Sequence, residues 1–530
     1  MKNQIASAAL AAIALVAAPA TAQDSAETSV AALPLAAAQS QANVSVMGAS
    51  DRAVAEQIRR KARSKYKKFY ADRGYWPMWV ENGAVRRAAD TLITLMQTSR
   101  IDGLSPADYD ISDLREAVVR ARSGSAEDLA RAELMLSQGF AGFARDMQRV
   151  RQSSLTYYDD AARPAPADEA EVLRRAALAS SIDNYVGQLG WMNPAYGGLR
   201  NALARHSERM NVAPGLTIPA GPTLRAGQSG NRVRLLRLKL GLSEGTAFDA
   251  ELSEAVAAFQ RDHGLSADGI VGRNTLAALN TQPIDQSRKL RLNLERARDL
   301  PGPWERHILV NVAAQELTLY NDGKVEGRMK VVVGTPETPT PMMAGMVRYA
   351  TLNPYWNVPV DFVKRRIAPG VLAGASLQKL GYEALSDWTR DARPLDADAI
   401  DWRAVASGQE QVRVRELPGP GNSMGSVKFM FPNDQGIYLH DTPNRALFGK
   451  DSRAFSNGCV RLEDAGELGR WLFGSSIAAE GDAPEQNRSV PRPVPVYLTY
   501  LTAVPGERGI RFLPDIYERD TMRPMQVAGR

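Results

Sequence analysis

The sequence predicts a multidomain α+β protein: a helical N-terminal scaffold, a small three-helix bundle, and a mainly-β C-terminal domain with a helical lid insertion. Three observations lead there. A chain of 530 residues exceeds what one hydrophobic core supports. Apolar residues recur at three- and four-residue spacing up to about Asn211, then give way beyond about Leu300 to Val- and Leu-rich runs of strand length. Between these regimes, Pro214-Gly215 through Gly221-Pro222 has the composition of a hinge.

Composition bounds the function before any motif is read. With 44% apolar and 23% charged residues the chain is an ordinary globular one. Its 65 Lys+Arg against 59 Asp+Glu leave a net charge of +6, which suits contact with an anionic polymer. That charge is far from a nucleic-acid signature, and no zinc-finger, RNP or basic-helix pattern accompanies it, so no nucleic-acid partner is expected.

The elements follow in order. Residues 1–22 read as an export signal: Lys2, an apolar stretch from Ala8 to Ala18, Pro19, and Ala20-Thr21-Ala22 as a cleavage site. The stretch is short for a bilayer span, so cleavage is expected, with retention as an inner-membrane anchor the alternative. The single cysteine lies near the other end, which excludes lipidation of the leader. Residues 23–48, rich in Ala, Ser and Gln, read as a mobile spacer.

Residues 49–215 form the expected helical scaffold, with periodic runs at Val85 to Met96 and Ala126 to Val150. Its aromatic cluster from Tyr70 to Trp79 reads first as core packing and second as a sugar-stacking surface. Residues 224–280 form the bundle. Val233, Leu236 and Leu240 mark one helix, and Leu252, Val256 and Phe259 another. Gly227-Gln228-Ser229-Gly230 and Asp268-Gly269-Ile270-Val271-Gly272 form the turns. This unit resembles a peptidoglycan-binding domain, which implies a wall-targeting module.

After a linker helix, residues 305–503 turn to strands: Ile308 to Tyr320, Asn321-Asp322-Gly323 as a hairpin turn, Met329 to Val333, Val347 to Leu352, Val427 to Phe431 and Val494 to Leu501. Residues 361–421 read as helical and polar again, the lid candidate, and 504–530 as a C-terminal extension.

The chemistry concentrates in two stretches. Tyr438-Leu439-His440-Asp441-Thr442 ends a strand-like run, where a side chain projects from a sheet rim. Nineteen positions after His440 comes Cys459, inside Ser456-Asn457-Gly458-Cys459-Val460-Arg461. An unpaired thiol in an exported chain is either inert and buried or present to react; the neighbours favour reaction. Glu463, Asp464 and the amphipathic run from Leu462 to Leu472 place the thiol just before a helix start, where the backbone field favours thiolate. An imidazole takes the thiol proton and returns it to a leaving amine. Backbone N–H groups around Gly458 and Cys459 are candidate oxyanion donors. Histidines 206, 263 and 307 lack such a setting. A papain-like order, cysteine early and histidine late, is reversed here.

These motifs resemble the L,D-transpeptidase family, marked by a histidine upstream of Ser/Thr-x-Gly-Cys-hydrophobic-Arg/Asn. Asn353-Pro354-Tyr355-Trp356-Asn357-Val358-Pro359 and Lys428 to Asn433 are similar to its longer Gram-negative members, as is the domain order. Asn457 departs from the histidine many members carry there. The resemblance implies a periplasmic cysteine acyltransferase acting on peptidoglycan stem peptides and glycan, without metal or cofactor. Cys459 is the implied nucleophile and His440 the proton carrier, oriented by the backbone carbonyl of Asp441. The implied product is a 3→3 cross-link made with loss of D-Ala. Water as acceptor (an L,D-carboxypeptidase), an envelope protein as acceptor, and a non-catalytic wall-binding scaffold are the alternatives. Wall-synthesis proteins are further partner candidates, a monomer is expected, and carbapenems are expected to acylate the thiol. Arg461 is expected chiefly to fix the motif loop. Arg453 is a substrate-contact candidate, and Tyr438, Ser456, Asn457 and Trp356 are candidate cleft residues.

Overall fold

The computed structural model describes residues 48–149, 153–165, 168–209, 216–262, 265–280, 283–506 and 509–521. The expected leader and all but the last residue of the spacer lie outside these, as does His263.

In the N-terminal region the periodic runs are helices that share one core. Ala126–Gln148, the longest, opens on a capping box between Ser125 and Asp128. It buries Leu129, Leu136, Phe140, Phe143 and Met147 along one face. Glu133 on that face is fully buried. Its carboxylate accepts from the Tyr70 hydroxyl at 2.8 Å and from the N–H groups of Met78 and Trp79 at 2.7 Å each. Tyr70, Met78 and Trp79 are therefore core, and the aromatic cluster serves packing.

The bundle comprises Asn231–Lys239, Ala250–Asp262 and Arg273–Asn280 around Val233, Leu236, Phe248, Leu252, Val256, Val271 and Leu279. Gln260 explains the Asp-Gly-Ile-Val-Gly turn. Its amide donates to Asp268, Ile270 and Thr275 and accepts from the Gly269 N–H.

The C-terminal half is a closed barrel. Its strands are β1 His307–Asn311, β2 Glu316–Asn321, β3 Lys324–Gly334, β4 Met343–Leu352, β5 Val427–Met430, β6 Leu439–His440, β7 Val460–Leu462 and β8 Gln486–Thr499. They run in the order β5-β6-β7-β3-β2-β1-β8-β4, and β4 pairs back onto β5. Alternation places Ile308, Val310, Leu317, Leu319, Phe429, Leu439, Val460 and Leu462 inside the barrel. Leu309, Tyr320 and Tyr497, on the opposite face, pack against the N-terminal helices. The strand Thr156–Tyr157 from that region pairs in parallel with β4. The Ile308 to Tyr320 run is thus two strands, broken at Gln315 with φ 55°.

Two expectations need correction. Residues 361–421 are not simply helical: Tyr382–Leu385, Pro394–Leu395 and Arg413–Glu416 join Trp356–Asn357 in a four-stranded sheet. Val363, Ile367, Trp402, Val405 and Val414 give that unit its own core. Strands of two to four residues are too short for a period of two to register in sequence. The segment after 504 is not a mere extension, since Leu513 and Tyr517 join the barrel core and Asp520 pairs with Arg296 at 2.7 Å. Among the described residues no helix is long and apolar enough to cross a membrane.

Candidate active site

Strand β6 lies between β5 and β7, antiparallel to one and parallel to the other, with Lys428 and Arg461 as the neighbours of His440. Because Leu439, Val460 and Leu462 point inward, His440 and Arg461 face outward, with Tyr438 and Cys459 two positions earlier on the same side. The pairing continues through the Val460 N–H, which donates to the Tyr438 carbonyl at 3.1 Å. One outer patch therefore gathers four residues from two short segments.

His440 is buried. Its Nδ1 lies 2.6 Å from the carbonyl oxygen of Asp441, which fixes the proton on Nδ1 and leaves Nε2 as the basic nitrogen. The Asp441 carboxylate is held separately by the Ser426 N–H at 2.9 Å, the Ser426 hydroxyl at 3.0 Å and Arg445 at 2.6 Å. Burial first, and the Arg461 charge second, push the imidazole pKa down to about 3. It is a neutral base at any physiological pH.

Cys459 is half-exposed, with Sγ 3.5 Å from the Gly436 carbonyl oxygen. Burial pushes the thiol pKa up, and the Tyr438 backbone and hydroxyl with Arg461 oppose that shift. Tyr438 stays protonated, its own pKa raised first by burial and then by the field of Cys459. Its ring meets that of His440 edge-on at 5.9 Å. Among the described residues no hydrogen bond joins Cys459 to His440. The resting pair is a neutral thiol and a neutral imidazole on one face.

Glycine is required at 458, where φ is +111°. Ser456 braces the loop, accepting the Gly458 N–H at 3.1 Å and donating to the Cys459 carbonyl at 2.5 Å. Thr340 braces it from outside, donating to the Gly458 carbonyl at 2.8 Å and accepting the Gly334 N–H at 2.9 Å. Tyr517 in turn donates to the Gly334 carbonyl at 2.5 Å.

Four expectations change here. The Gly458 N–H is committed to Ser456, so it is not a free oxyanion donor. Cys459 precedes a strand, and the helix opens only at Ala465, capped by Asp464; no helix field reaches the thiol. Arg453 is tied to the carbonyls of Val331 at 3.2 Å, Gln315 at 2.9 Å and Lys450 at 3.1 Å, a structural clamp rather than a substrate contact. Arg461 does not fix the loop: its Nε is buried without a hydrogen-bond partner among the described residues, and its charge acts on the thiol and the imidazole. Asn457 is exposed, and Trp356 packs edge-on against Phe362 within the insertion at 5.3 Å.

Sequence reading missed Thr340, Gly334 and Tyr517, and gave Lys428 only as part of a motif, with no role. Lys428 pairs with Glu485 at 3.0 Å, and Glu485 accepts the Tyr355 N–H at 2.8 Å, linking the neighbour of His440 to the root of the insertion.

Comparison with known proteins meets this geometry. Residues 305–479 match the family described as "L,D-transpeptidase catalytic domain". The chain carries an L,D-transpeptidase catalytic domain. Elsewhere in the chain, residues 233–279 match "Putative peptidoglycan binding domain" and residues 64–203 match "Scaffold domain". A protein of Haemophilus influenzae named "Putative L,D-transpeptidase" is 32% identical over 242 residues, 44% of this chain and 48% of that protein. The chain thus spans about half the length of this curated relative. Among solved structures, an L,D-transpeptidase from Mycobacterium smegmatis is 14% identical over 37% of this chain and 58% of that one, with a TM-score of 0.18. One from Xylanimonas cellulosilytica is 17% identical over 53% and 98%, with a TM-score of 0.17.

Proposed function

We propose that this protein is a periplasmic peptidoglycan L,D-transpeptidase that forms 3→3 cross-links, with Cys459 as nucleophile. The observation that carries the reading is the outer-face pairing of Cys459 with a neutral His440 whose Nδ1 is tied to the Asp441 carbonyl at 2.6 Å. A base for a thiol must be unprotonated and lie on the same face as the sulfur; burial keeps this histidine neutral, and strand alternation puts it on the outer face that carries Cys459.

On this reading a stem tetrapeptide settles over the thiol and displaces Sγ from the Gly436 carbonyl. Nε2 of His440 takes the thiol proton as sulfur attacks the carbonyl between the third and fourth residues. The same proton passes to the amine of the departing D-Ala, leaving a thioester on the third residue. The side-chain amine of a second stem then attacks, gives up its proton through His440, and frees the thiol. One amide is exchanged for another, so no external energy source is required. The Cys459 N–H and the Tyr438 hydroxyl replace Gly458 as donors to the developing oxyanion. Arg461 supplies positive charge beside the sulfur as it ionises.

The test is incubation of the protein with purified disaccharide-tetrapeptides and mass analysis of the products. Loss of D-Ala with a new dimer, absent in Cys459→Ala, is expected. Loss of D-Ala without dimers assigns water or a protein amine as acceptor, and absence of turnover removes the reading.

A further inference from the structure

A second concavity lies on the outer face of the barrel, lined by none of the residues of the cysteine patch. A cavity of about 830 Å³ opens where β1 to β3, the scaffold helix Pro194–Arg209, the bundle helix Ala250–Asp262 and the hairpin of Ala503–Gly506 with Gly509–Phe512 meet. Asn311 and Tyr320 line it from the barrel. Arg261 reaches it from the bundle, Arg328 from β3 and Arg511 from the hairpin. Glu316 is the one carboxylate among the described lining residues.

Among the described lining residues the charges do not balance, with three arginines against one carboxylate. Arg328 meets Glu316 only at 3.9 Å, with both side chains largely exposed, a pairing of little worth. Nε of Arg511 is buried and has no hydrogen-bond partner among the described residues. A buried guanidinium nitrogen without an acceptor is costly, and an incoming anion removes that cost. Guanidinium forks match carboxylates in paired N–H···O geometry. The volume is that of a site for a ligand of disaccharide size, and its mixture of apolar and polar lining is usual for such sites.

We infer that this cavity binds a carboxylate-bearing glycopeptide fragment of peptidoglycan, separately from the cysteine site and from the bundle's own groove. That groove is lined by Gly227, Asp249, Ser253 and Asp268 and shares no residue with the cavity. One wall of the cavity is the helix of a unit that matches a peptidoglycan-binding domain, so polymer held by the bundle is already beside it. The choice of ligand rests on the proposed function; the presence of an anion site rests on the arginines.

The test uses the full chain carrying Cys459→Ala, titrated calorimetrically with a purified disaccharide-tetrapeptide. Adding Arg328→Gln and Arg511→Gln is expected to weaken binding about tenfold or more, the usual scale for losing charge-assisted bonds. Glu316→Gln is expected to tighten it about threefold, and amidating the ligand's carboxylates to weaken it as the arginine changes do. Should the double variant melt early, Glu316→Gln decides alone, since removal of the single carboxylate has to favour an anion. Affinity unmoved by the arginine and Glu316 changes places all binding outside the cavity, at the cysteine site or the bundle groove, and overturns the inference. Turnover by the chain with Cys459 intact is read in parallel. Turnover without cavity-dependent binding removes this inference and leaves the reaction standing; cavity-dependent binding without turnover does the reverse.

Discussion

Lowering the pH from 7 to 5 should leave acylation of Cys459 almost unchanged. An exposed histidine titrating near 6.5 is about three-quarters neutral at pH 7 and about 3% neutral at pH 5. A reaction using it as a base would slow more than twentyfold by that arithmetic. His440 differs because burial and Arg461 hold its pKa at about 3, so at pH 5 only about 1% carries a proton. The thiol is pushed upward, so neither partner titrates in this range and the competent neutral pair persists. The assay must avoid the acceptor amine, which titrates on its own account. The second-order rate of carbapenem adduct formation, followed by intact mass, isolates the first half-reaction. The adduct should be absent in Cys459→Ala. A fall of tenfold or more between pH 7 and 5, with a midpoint near 6.5, would refute the neutral-pair account.

The same burial makes the fold acid-sensitive. His440 and His307, the latter held at about 4, stay neutral when folded, whereas the unfolded chain binds protons near 6.5. Their stabilisation is present above 6.5 and lost as pH falls through that value, by about 2 kcal/mol each at pH 5. In urea titrations at pH 7.5 and pH 5, His440→Gln should therefore show a loss smaller by about that amount. Thr340→Val leaves the Gly458 carbonyl and the Gly334 N–H without their partner, which should cost roughly 2–4 kcal/mol and lower the acylation rate. Thermal melting and adduct kinetics read the two effects. Arg453→Ala should lower the melting temperature through the loss of its carbonyl clamp, at a cost of about 2 kcal/mol, with KM for the stem peptide unchanged within about twofold. A rise in KM without loss of stability would restore Arg453 as a substrate contact.

What was legible in the sequence is what local pattern encodes. The scaffold helices, the bundle and the strand-rich half all announce themselves through periodicity and turn glycines. The insertion did not, because strands of two to four residues offer no period. Cys459 and His440 were legible because they sit within short motifs whose neighbours matter chemically, whereas the Asp441 carbonyl came only with the family resemblance. The supporting residues were not. Thr340 meets Gly458 across 118 residues of chain, and Tyr517 reaches Gly334 across 183. Such contacts exist only once the barrel has closed.

The misreadings share a cause that bears on mechanism. The run after Cys459 looks like a helix start, yet Val460–Leu462 must first complete the barrel between β6 and β3. That strand removes a helix field from the thiol, and with it one source of thiolate. Arg461 enters on the same strand with its Nε unpartnered, restoring positive charge beside both reacting groups. The cation cannot favour thiolate without also disfavouring imidazolium, and both effects appear in the titration of the pair. A site built this way holds its proton on sulfur until something displaces Sγ from the Gly436 carbonyl. A partly buried thiol gains from that arrangement, because a thiol is far less easily oxidised than a thiolate. On the proposed mechanism the bound acyl donor supplies that displacement, so that reactivity is expected only when there is an amide to attack.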